Sequence, residues 1–396
     1  MKKKENTIRS AKFTSRKAIT LLFFAVMAAI IALCYIALHD EVAFDKEGWD
    51  PDVHKGLNSL IIERSGMGNY AVFDFDKTTI VHDVSNALLV YQVENLKFGT
   101  APDHSFLDAI SDIDKKLQGT DITSREMGDT LKAEYDRMMS RLAAGESMEA
   151  IRTGNDYLDF RARFISLLDL LSQTFPEEVW YAWMPGLLTG LTTEEAQALI
   201  SEAIDDQLGK DKLQKEEWRS PDGKWGGPVE KGIYLPEEMK NLYKALNDNG
   251  IDTYICSASL ELIVEALACD SVRGLGLSKD RVFGLRFAES PRITAKYDPE
   301  YTQPMMEGKV ECIKNYIAPN YGGRGPVLVG GDSNGDVPML TAFDDTRNSL
   351  IIDVGRSPES NIGRLATQAK SEDNKGRFLL QPAFAKAKGD IEWEGI

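Results

Sequence analysis

The stretch that most constrains the fold of this chain is residues 71–80, which read Ala-Val-Phe-Asp-Phe-Asp-Lys-Thr-Thr-Ile. An apolar run typical of a buried β-strand leads directly to Asp74 and Asp76, and Thr78 follows two residues later. In α/β sheets, ligands bind beyond the carboxyl ends of the strands. Two neighbouring carboxylates raise each other's pKa, so a cation is needed to hold both of them ionised there. The pattern predicts a buried strand whose tip carries a metal and nucleophile site.

The composition is that of a globular protein with an acidic body. Of the 396 residues, 43% are hydrophobic and 27% are charged, and the formal net charge is −16. Most of the first 17 residues are polar or basic, which makes the remainder of the chain still more acidic. Because nucleic-acid binding depends on neutralising phosphates, such a body argues against a nucleic-acid partner.

Residues 18–38 form an apolar run that follows the basic segment 1–17. About 20 apolar residues are needed to span a bilayer, whereas the core of a cleaved signal peptide has only ~7–15. The sequence therefore favours an uncleaved transmembrane signal anchor over a cleaved signal. The positive-inside rule places the basic segment in the cytoplasm. We expect a single-pass protein of the cell membrane with an extracytoplasmic body, or a secreted or periplasmic one if the signal is cleaved.

The rest of the chain divides by its hydrophobic periodicity. Residues 39–66 are expected to be a linker, with a short helix over residues 57–61 that packs on the edge of the sheet. Strand patterns are nearly absent from residues 81–230, where amphipathic helical patterns predominate, and this predicts an all-helical cap. Residues 67–80 and 231–396 alternate between strand and helix patterns, which predicts a parallel sheet with right-handed crossovers. The expected fold is a Rossmann-like, doubly wound α/β core with a large inserted helical cap and an N-terminal transmembrane helix.

Polar groups also follow two later predicted strands. Ser257 ends a strand pattern, Asp332 and Asp336 follow another, and Lys309 begins a helix between them. Taken alone, the serine is explained as a helix cap and the lysine as a solvated side chain. Because the carboxyl ends of parallel strands meet at one edge of a sheet, the set as a whole predicts a phosphoryl-transfer site.

The order and placement of these groups resemble those of the haloacid dehalogenase-like superfamily. The four motifs are Asp74-Phe-Asp-Lys-Thr78, Ser257-Ala-Ser259, Lys309 in Gly-Lys-Val-Glu-Cys-Ile, and Gly331-Asp-Ser-Asn-Gly-Asp336. The resemblance covers residues 70–353, least well in the cap, and is greatest to the branch of phosphoserine and phosphorylcholine phosphatases. It implies Mg²⁺-dependent hydrolysis of a small phosphate monoester through an aspartyl-phosphate intermediate.

The resemblance also implies the roles of the acidic residues and of the lysine. Asp74 would be the nucleophile, and Asp76 would act first as general acid and then as general base. Mg²⁺ would bind Asp74, Asp332 and the backbone carbonyl of Asp76, since it prefers oxygen ligands. Asp336 would lie in the outer sphere of the metal or orient Lys309. Lys309 would balance the charge of the phosphoryl oxygens.

Three further residues are implied to hold the phosphoryl group. Ser257 and the backbone amide of Ala258 would donate hydrogen bonds to phosphoryl oxygens. Thr78 would support the first loop beside the phosphate. These residues, like the catalytic aspartates, lie at predicted strand tips.

Substrate choice is expected to lie in the cap. Asp83 begins the first cap helix, where it would either meet an ammonium group or serve as an N-terminal helix acid. Trp180 and Trp183 belong to an aromatic concentration, and aromatic faces bind quaternary ammonium ions. The alternative for each tryptophan is a place in the core of the cap. An amine-bearing phosphoester such as phosphocholine is the resulting hypothesis for the substrate.

Two alternatives stay open from the sequence. The chain could be a membrane-anchored binding or sensor protein with a body of this fold and no significant turnover, although all the required residue types are present. Cys256 and Cys269 could form a disulfide in an oxidising compartment, although separate buried thiols are the commoner case.

Overall fold

The computed structural model describes residues 43–99, 114–181, 183–374 and 376–384. The predicted anchor at 18–38 lies outside these residues, as do residues 100–113 of the predicted cap. Within the described ranges, no helix is long and apolar enough to cross a bilayer.

The centre of the molecule is a parallel sheet of six strands in the order β5-β4-β1-β6-β7-β8, and a separate hairpin pairs two further strands. In chain order the strands are β1 (Asn69–Phe73), β2 (Gln214–Arg219), β3 (Gly226–Lys231), β4 (Ile251–Leu260), β5 (Val282–Leu285), β6 (Leu328–Gly331), β7 (Asn348–Asp353) and β8 (Phe378–Pro382). The order of the strands reverses at β1, which lies between β4 and β6. The ligand-binding crevice of such a sheet lies at that switch point.

Helices cover both faces of the sheet and build the cap. In chain order they are α1 (Pro51–Arg64), α2 (Val84–Asn95), α3 (Ser124–Ala143), α4 (Met148–Arg152), α5 (Asn155–Thr174), α6 (Glu177–Trp180), α7 (Trp183–Gly186), α8 (Thr193–Gln207), α9 (Glu237–Asp248), α10 (Glu261–Ala268), α11 (Glu307–Cys312), α12 (Val337–Thr341) and α13 (Asn361–Ala369). A π-helical turn, Ile313–Ile317, continues α11.

Alternate residues of β1 belong to two different hydrophobic clusters. Ala71 and Phe73 pack into one cluster, whereas Tyr70 and Val72 pack into the other. All five residues of β1 are buried. A parallel sheet covered on both faces has strands of this continuous apolar kind. The predicted Rossmann-like core is therefore confirmed.

The segment 39–66 is not a simple linker. It contains α1, whose Val53, Leu57, Leu60 and Ile61 are buried on one face. This spacing of three and four residues is that of an amphipathic helix packed on a core. The four residues belong to the same cluster as Ala71 and Phe73, so α1 is part of the α/β core.

The cap is not all-helical, which corrects the sequence prediction. Within residues 81–230, β2 and β3 form an antiparallel hairpin. Trp218 and Val229 are buried in the cap, while most of the other residues of the two strands are charged, glycine or proline. Because only one residue in each strand is deeply buried and apolar, the period-two pattern that marks a strand is almost absent here.

The boundary between cap and core also runs through the predicted cap. Helix α8 buries Ala196, Ile200 and Ile204 in the cluster of the α/β core. Helix α2 contributes to both units: Val84 and Ala87 pack into the core cluster. Its neighbours Leu89, Val90 and Val93 pack into the cap cluster. Helix α2 therefore joins the cap to the sheet just beyond the tip of β1.

The long segment after β7 completes the sheet. It forms α13 and then β8, which pairs in parallel with β7 from Ser349 to Asp353. The three cysteines of the described residues, Cys256, Cys269 and Cys312, are free thiols, so Cys256 and Cys269 are not joined in this structure.

Candidate active site

A cavity of about 210 Å³ lies where the carboxyl ends of β1, β4 and β6 face the cap. The sheet brings the predicted motif residues to its floor because β4 and β6 are the direct neighbours of β1. Side chains from the cap and from the loop before α11 form its walls. The lining residues that bear on the chemistry are Asp74, Asp76, Asp83, Ser85, Trp180, Tyr181, Ser257, Ala258, Ser259, Met306, Lys309, Asp332 and Arg356.

Three aspartates form a compact acidic cluster at the floor. Asp74, Asp332 and Asp336 are buried, and one carboxylate oxygen of each lies within 4.8 Å of the others. Thr78 donates a hydrogen bond from Oγ1 to Oδ1 of Asp332 at 3.2 Å. Burial raises the pKa of Asp74 above its ordinary value, and the charges of Asp336 and Asp332 raise it further. An all-oxygen set of buried carboxylates fits Mg²⁺, which would stabilise their ionised forms.

Lys309 joins two of these carboxylates. Its Nζ lies 2.8 Å from Oδ1 of Asp74 and 2.5 Å from Oδ1 of Asp336, with only 3% of the lysine side chain exposed. Burial alone would lower the pKa of Lys309, but Asp336 and Asp74 hold it above its ordinary value, so the side chain is a cation. The other oxygen of Asp336 accepts hydrogen bonds from the backbone amides of Asp332 and Ser333.

Asp76 is held apart from the acidic cluster by its own donors. Its Oδ2 accepts a hydrogen bond from Oγ of Ser259 at 2.6 Å. Its Oδ1 accepts one from the backbone amide of Val84 at 2.7 Å. Burial, followed by the charge of Asp83, raises the pKa of Asp76 well above its ordinary value. A raised pKa favours the protonated carboxyl group, which is the form required of a general acid.

Ser257 and Ala258 lie near the end of β4 and line the cavity, where the phosphoryl-binding residues were predicted to lie. The strand runs on to Leu260 with an irregular register after Cys256, and this turns the segment toward β1. Oγ of Ser257 accepts a hydrogen bond from the backbone amide of Ser259 at 3.1 Å. The serine hydroxyl is thereby fixed beside the acidic cluster.

The cap contributes an aromatic wall and one acid. Trp180 and Tyr181 line the cavity. Their rings stack with centroids 4.2 Å apart. Asp83 lines the cavity too, and its side chain accepts a hydrogen bond from the amide of Asn86, capping α2. Both interpretations of Asp83 from the sequence therefore fit the structure.

The structure contradicts a substrate-binding role for Trp183 and agrees with the alternative, a place in the core of the cap. Its side chain is fully buried in the cap cluster and its ring lies 5.5 Å from that of Phe164. The other tryptophans of the aromatic concentration, Trp218 and Trp225, are also buried in this cluster. Trp183 is therefore a core residue of the cap, and Trp180 is the predicted tryptophan that reaches the cavity.

Four residues at the site were not singled out from the sequence. Ser259 and Ser85 extend the hydrogen bonds of Asp76, since Ser85 donates from Oγ to Oγ of Ser259 at 2.9 Å. Arg356 follows β7 and donates to Oδ2 of Asp332 at 2.7 Å. Met306 lines the cavity with a positive φ of 50°, a strained conformation for a residue with a side chain. For two of these residues the position in the sequence could have indicated a role at the site, because Ser259 ends a motif and Arg356 follows a strand.

Comparisons with known proteins agree with this geometry. The model of the family described as haloacid dehalogenase-like hydrolase matches residues 152–341. The phosphorylcholine phosphatase of Pseudomonas aeruginosa is 23% identical over 351 residues, which cover 79% of this chain and 82% of that protein. The crystal structure of a protein of unknown function from Anaerococcus prevotii has a TM-score of 0.77 and 28% identity, and the match covers 89% of this chain and all of the other.

The fold and the site define an enzyme with a Rossmann-like core, a cap inserted after the first strand and an acidic centre at the strand tips. The match to the haloacid dehalogenase-like hydrolase model and the likeness to a phosphatase confirm the prediction of a phosphatase that resembles this superfamily.

Proposed function

We propose that the protein hydrolyses a small phosphate monoester in two steps, with Asp74 as nucleophile and Mg²⁺ as cofactor. The observation that carries the proposal is the division of labour between two aspartates two residues apart. Asp74 lies in the acidic cluster and is bound by Lys309. Asp76 is bound instead by Ser259 and the amide of Val84. A nucleophile and a proton donor need such separate environments.

In the first step, an oxygen of Asp74 forms a bond to phosphorus while the bond between phosphorus and the leaving oxygen breaks. Asp76 gives its proton to that oxygen, and the alcohol departs. In the second step, Asp76 takes a proton from a water molecule whose oxygen attacks phosphorus. The bond between phosphorus and Asp74 then breaks, and inorganic phosphate is released. A carboxylate nucleophile thus divides one difficult displacement into two easier ones.

The charge of the phosphoryl group is offset by three kinds of group. Mg²⁺ bound by Asp74 and Asp332, with Asp336 beside it, would supply positive charge where negative charge accumulates. Lys309 supplies a fixed cation that is buried with the cluster. Ser257 and the amide of Ala258 supply hydrogen-bond donors at the edge of the cavity.

For the substrate, we propose a small alcohol phosphate that bears an amine, with phosphocholine as the leading candidate. The cavity is small, and Trp180, Tyr181 and Asp83 lie on its cap side. Aromatic faces attract a quaternary ammonium group, worth ~2 kcal/mol when desolvated, and a carboxylate adds charge complementarity. The likeness to a phosphorylcholine phosphatase supports the same substrate class.

The test begins with hydrolysis of para-nitrophenyl phosphate with and without Mg²⁺. We expect turnover that requires the metal and is lost in Asp74→Asn, whereas the exposed Asp248→Asn keeps it. Metal-independent turnover, or full activity of Asp74→Asn, would contradict the mechanism. An absence of turnover in the unmodified protein would favour a binding or sensor protein.

A panel of phosphate esters then tests the substrate. We expect phosphocholine to have a higher kcat/KM than phosphoserine and the nucleoside monophosphates. A nucleotide or phosphoserine hydrolysed far faster than phosphocholine would disprove the proposed substrate class while leaving the mechanism intact.

We also propose that residues 18–38 anchor the protein in the cell membrane with its body outside the cytoplasm. The length and apolar character of this run and the basic residues before it support the proposal. Fractionation of cells that express the whole chain tests it. Recovery in the membrane fraction, with the body digested by protease added to spheroplasts, is the expected result, and recovery in the cytosol would contradict it.

A further inference from the structure

The carboxyl group of Asp76 is held between the core and the cap. Val84, the first residue of α2, donates its backbone amide to Oδ1. Ser259, near the end of β4, donates its hydroxyl to Oδ2. Ser85, the second residue of α2, donates its own hydroxyl to Ser259. Asp76 is therefore oriented by groups from two elements that meet above the acidic cluster.

Ser259 also contacts the phosphoryl-binding end of the cavity. Its backbone amide donates to Oγ of Ser257. A single residue thereby connects the serine expected to bind the phosphoryl group with the aspartate expected to donate the proton. Both Ser259 and Ser85 are buried in the protein and line the cavity.

We infer that Ser259, supported by Ser85, is a positioning residue that holds Asp76 at the leaving-group oxygen. This inference rests on the proposed function, because it assigns a residue to one proton transfer in that mechanism. It goes beyond the proposed function by giving Ser259 a role of its own, distinct from that of Ser257, the serine expected to bind the phosphoryl group.

A hydroxyl suits this role because it both donates and accepts hydrogen bonds. When Asp76 is ionised, Ser259 donates to Oδ2. When Asp76 carries a proton on that oxygen, the Ser259 hydroxyl accepts from it, since a hydroxyl oxygen has two acceptor lone pairs and Ser85 uses only one of them. The contact therefore persists in both protonation states, and the carboxyl group keeps its place. A displacement of about 1 Å in a reacting group costs about 100-fold in rate.

The experiment compares two leaving groups in Ser259→Ala. An alkyl phosphate such as phosphocholine releases a strongly basic alkoxide that needs a proton, whereas para-nitrophenyl phosphate releases a stable phenolate that does not. The value of kcat/KM reports the steps up to loss of the alcohol, so it isolates this proton transfer from the later attack of water. We expect kcat/KM to fall about 100-fold for the alkyl ester and less than about threefold for the aryl ester.

Three variants serve as controls. Ser259→Thr keeps the hydroxyl and is expected to retain most of the alkyl-ester activity. Ser349→Ala removes a buried serine whose hydroxyl donates to the carbonyl of Leu340, far from the cavity. It is expected to lower stability without changing the ratio of the two kcat/KM values. Ser85→Ala is expected to shift this ratio in the same direction as Ser259→Ala but less, and it decides the question if Ser259→Ala does not fold.

Equal losses for the two esters in Ser259→Ala would overturn the inference, because a merely structural role affects both. An unchanged kcat/KM for both esters would overturn it as well. Either result is distinct from failure of the proposed function, which would appear as an absence of metal-dependent turnover in the unmodified protein.

Discussion

The two sides of the cavity differ in chemistry. The floor, at the tips of β1, β4 and β6, consists of buried polar groups that bind one another, with Lys309 joined to two carboxylates. The cap side presents the stacked rings of Trp180 and Tyr181 and a single acid, Asp83. The floor has the groups that a phosphoryl reaction needs, whereas the cap side has groups that recognise the remainder of a substrate.

This difference separates two kinds of variant. Changes on the floor are expected to reduce turnover of every phosphate ester and to affect folding, because the groups there are buried and mutually paired. Changes on the cap side are expected to alter the relative use of substrates. The following variants compare the floor with the cap side, or the aromatic wall of the cap with its buried core.

The largest effect is expected for Lys309→Met. The variant leaves the carboxylates of Asp74 and Asp336 buried without their cation, and breaking a buried pair costs about 3–5 kcal/mol of unfolding free energy. Turnover should fall to the background for all esters. Lys314→Met is the matched control, since Lys314 forms only an exposed ion pair with Glu311 and such pairs contribute less than about 1 kcal/mol. Chemical denaturation of both variants measures the difference, and similar stabilities would contradict the structural account of Lys309.

The next comparison is between two tryptophans three residues apart. Trp183→Ala leaves a cavity in the core of the cap and is expected to destabilise the protein by about 3–5 kcal/mol. Trp180→Ala is expected to cost much less stability but to raise KM for phosphocholine about tenfold, through loss of the aromatic wall. Thermal melts and a two-substrate kinetic assay distinguish them. A rise in KM for Trp183→Ala at temperatures where it is folded, with none for Trp180→Ala, would reverse the assignment.

A smaller effect is expected for Asp83→Asn. Asparagine also caps helices well, so α2 should lose little stability. The loss of charge should raise KM for a cationic ester about threefold and leave KM for para-nitrophenyl phosphate unchanged, because the latter has no ammonium group. Equal changes for both esters would indicate that Asp83 acts only through the helix.

A pH-dependent effect on stability is expected in the part of the cap that does not line the cavity. Burial and then Asp159 raise the pKa of Glu134 to about 8, against an opposing effect of Arg163. The unfolded chain releases this proton at a lower pH than the folded one, so rising pH between about 4.5 and 8 should lower stability. Glu134→Gln has no proton to lose and should flatten that dependence. Urea unfolding at pH 5 and pH 8 tests this, and an unchanged slope in the variant would contradict it.

The floor of the site could be predicted from the sequence because topology determines it. Once β1 is recognised as a buried parallel strand, Asp74 and Asp76 must lie at its tip, and adjacent strands bring Ser257 and Asp332 to the same edge. The contact of Asp76 with Ser259 could not be predicted, since it depends on the irregular register after Cys256.

The cap was less predictable because its side chains are placed by packing. Trp180 and Trp183 are the same residue type, so the sequence alone does not distinguish them. The arrangement of α6 and α7 decides which ring is buried in the cap cluster. The hairpin of β2 and β3 was missed because each strand has just one deeply buried apolar residue. Helix α1 was predicted only in part, as a short helix over residues 57–61, because Val53 is the one large apolar residue among its first six.

The nucleophilic role of Asp74 is the central claim, and trapping the covalent intermediate tests it most directly. The protein is mixed with Mg²⁺ and substrate, quenched rapidly in acid and digested, and the peptide that contains Asp74 is weighed by mass spectrometry. The account predicts a mass increase of one phosphoryl group on Asp74, present in the unmodified protein and in Asp248→Asn and absent from Asp74→Asn. Full single turnover of substrate with no phosphorylated peptide at any quench time would contradict it.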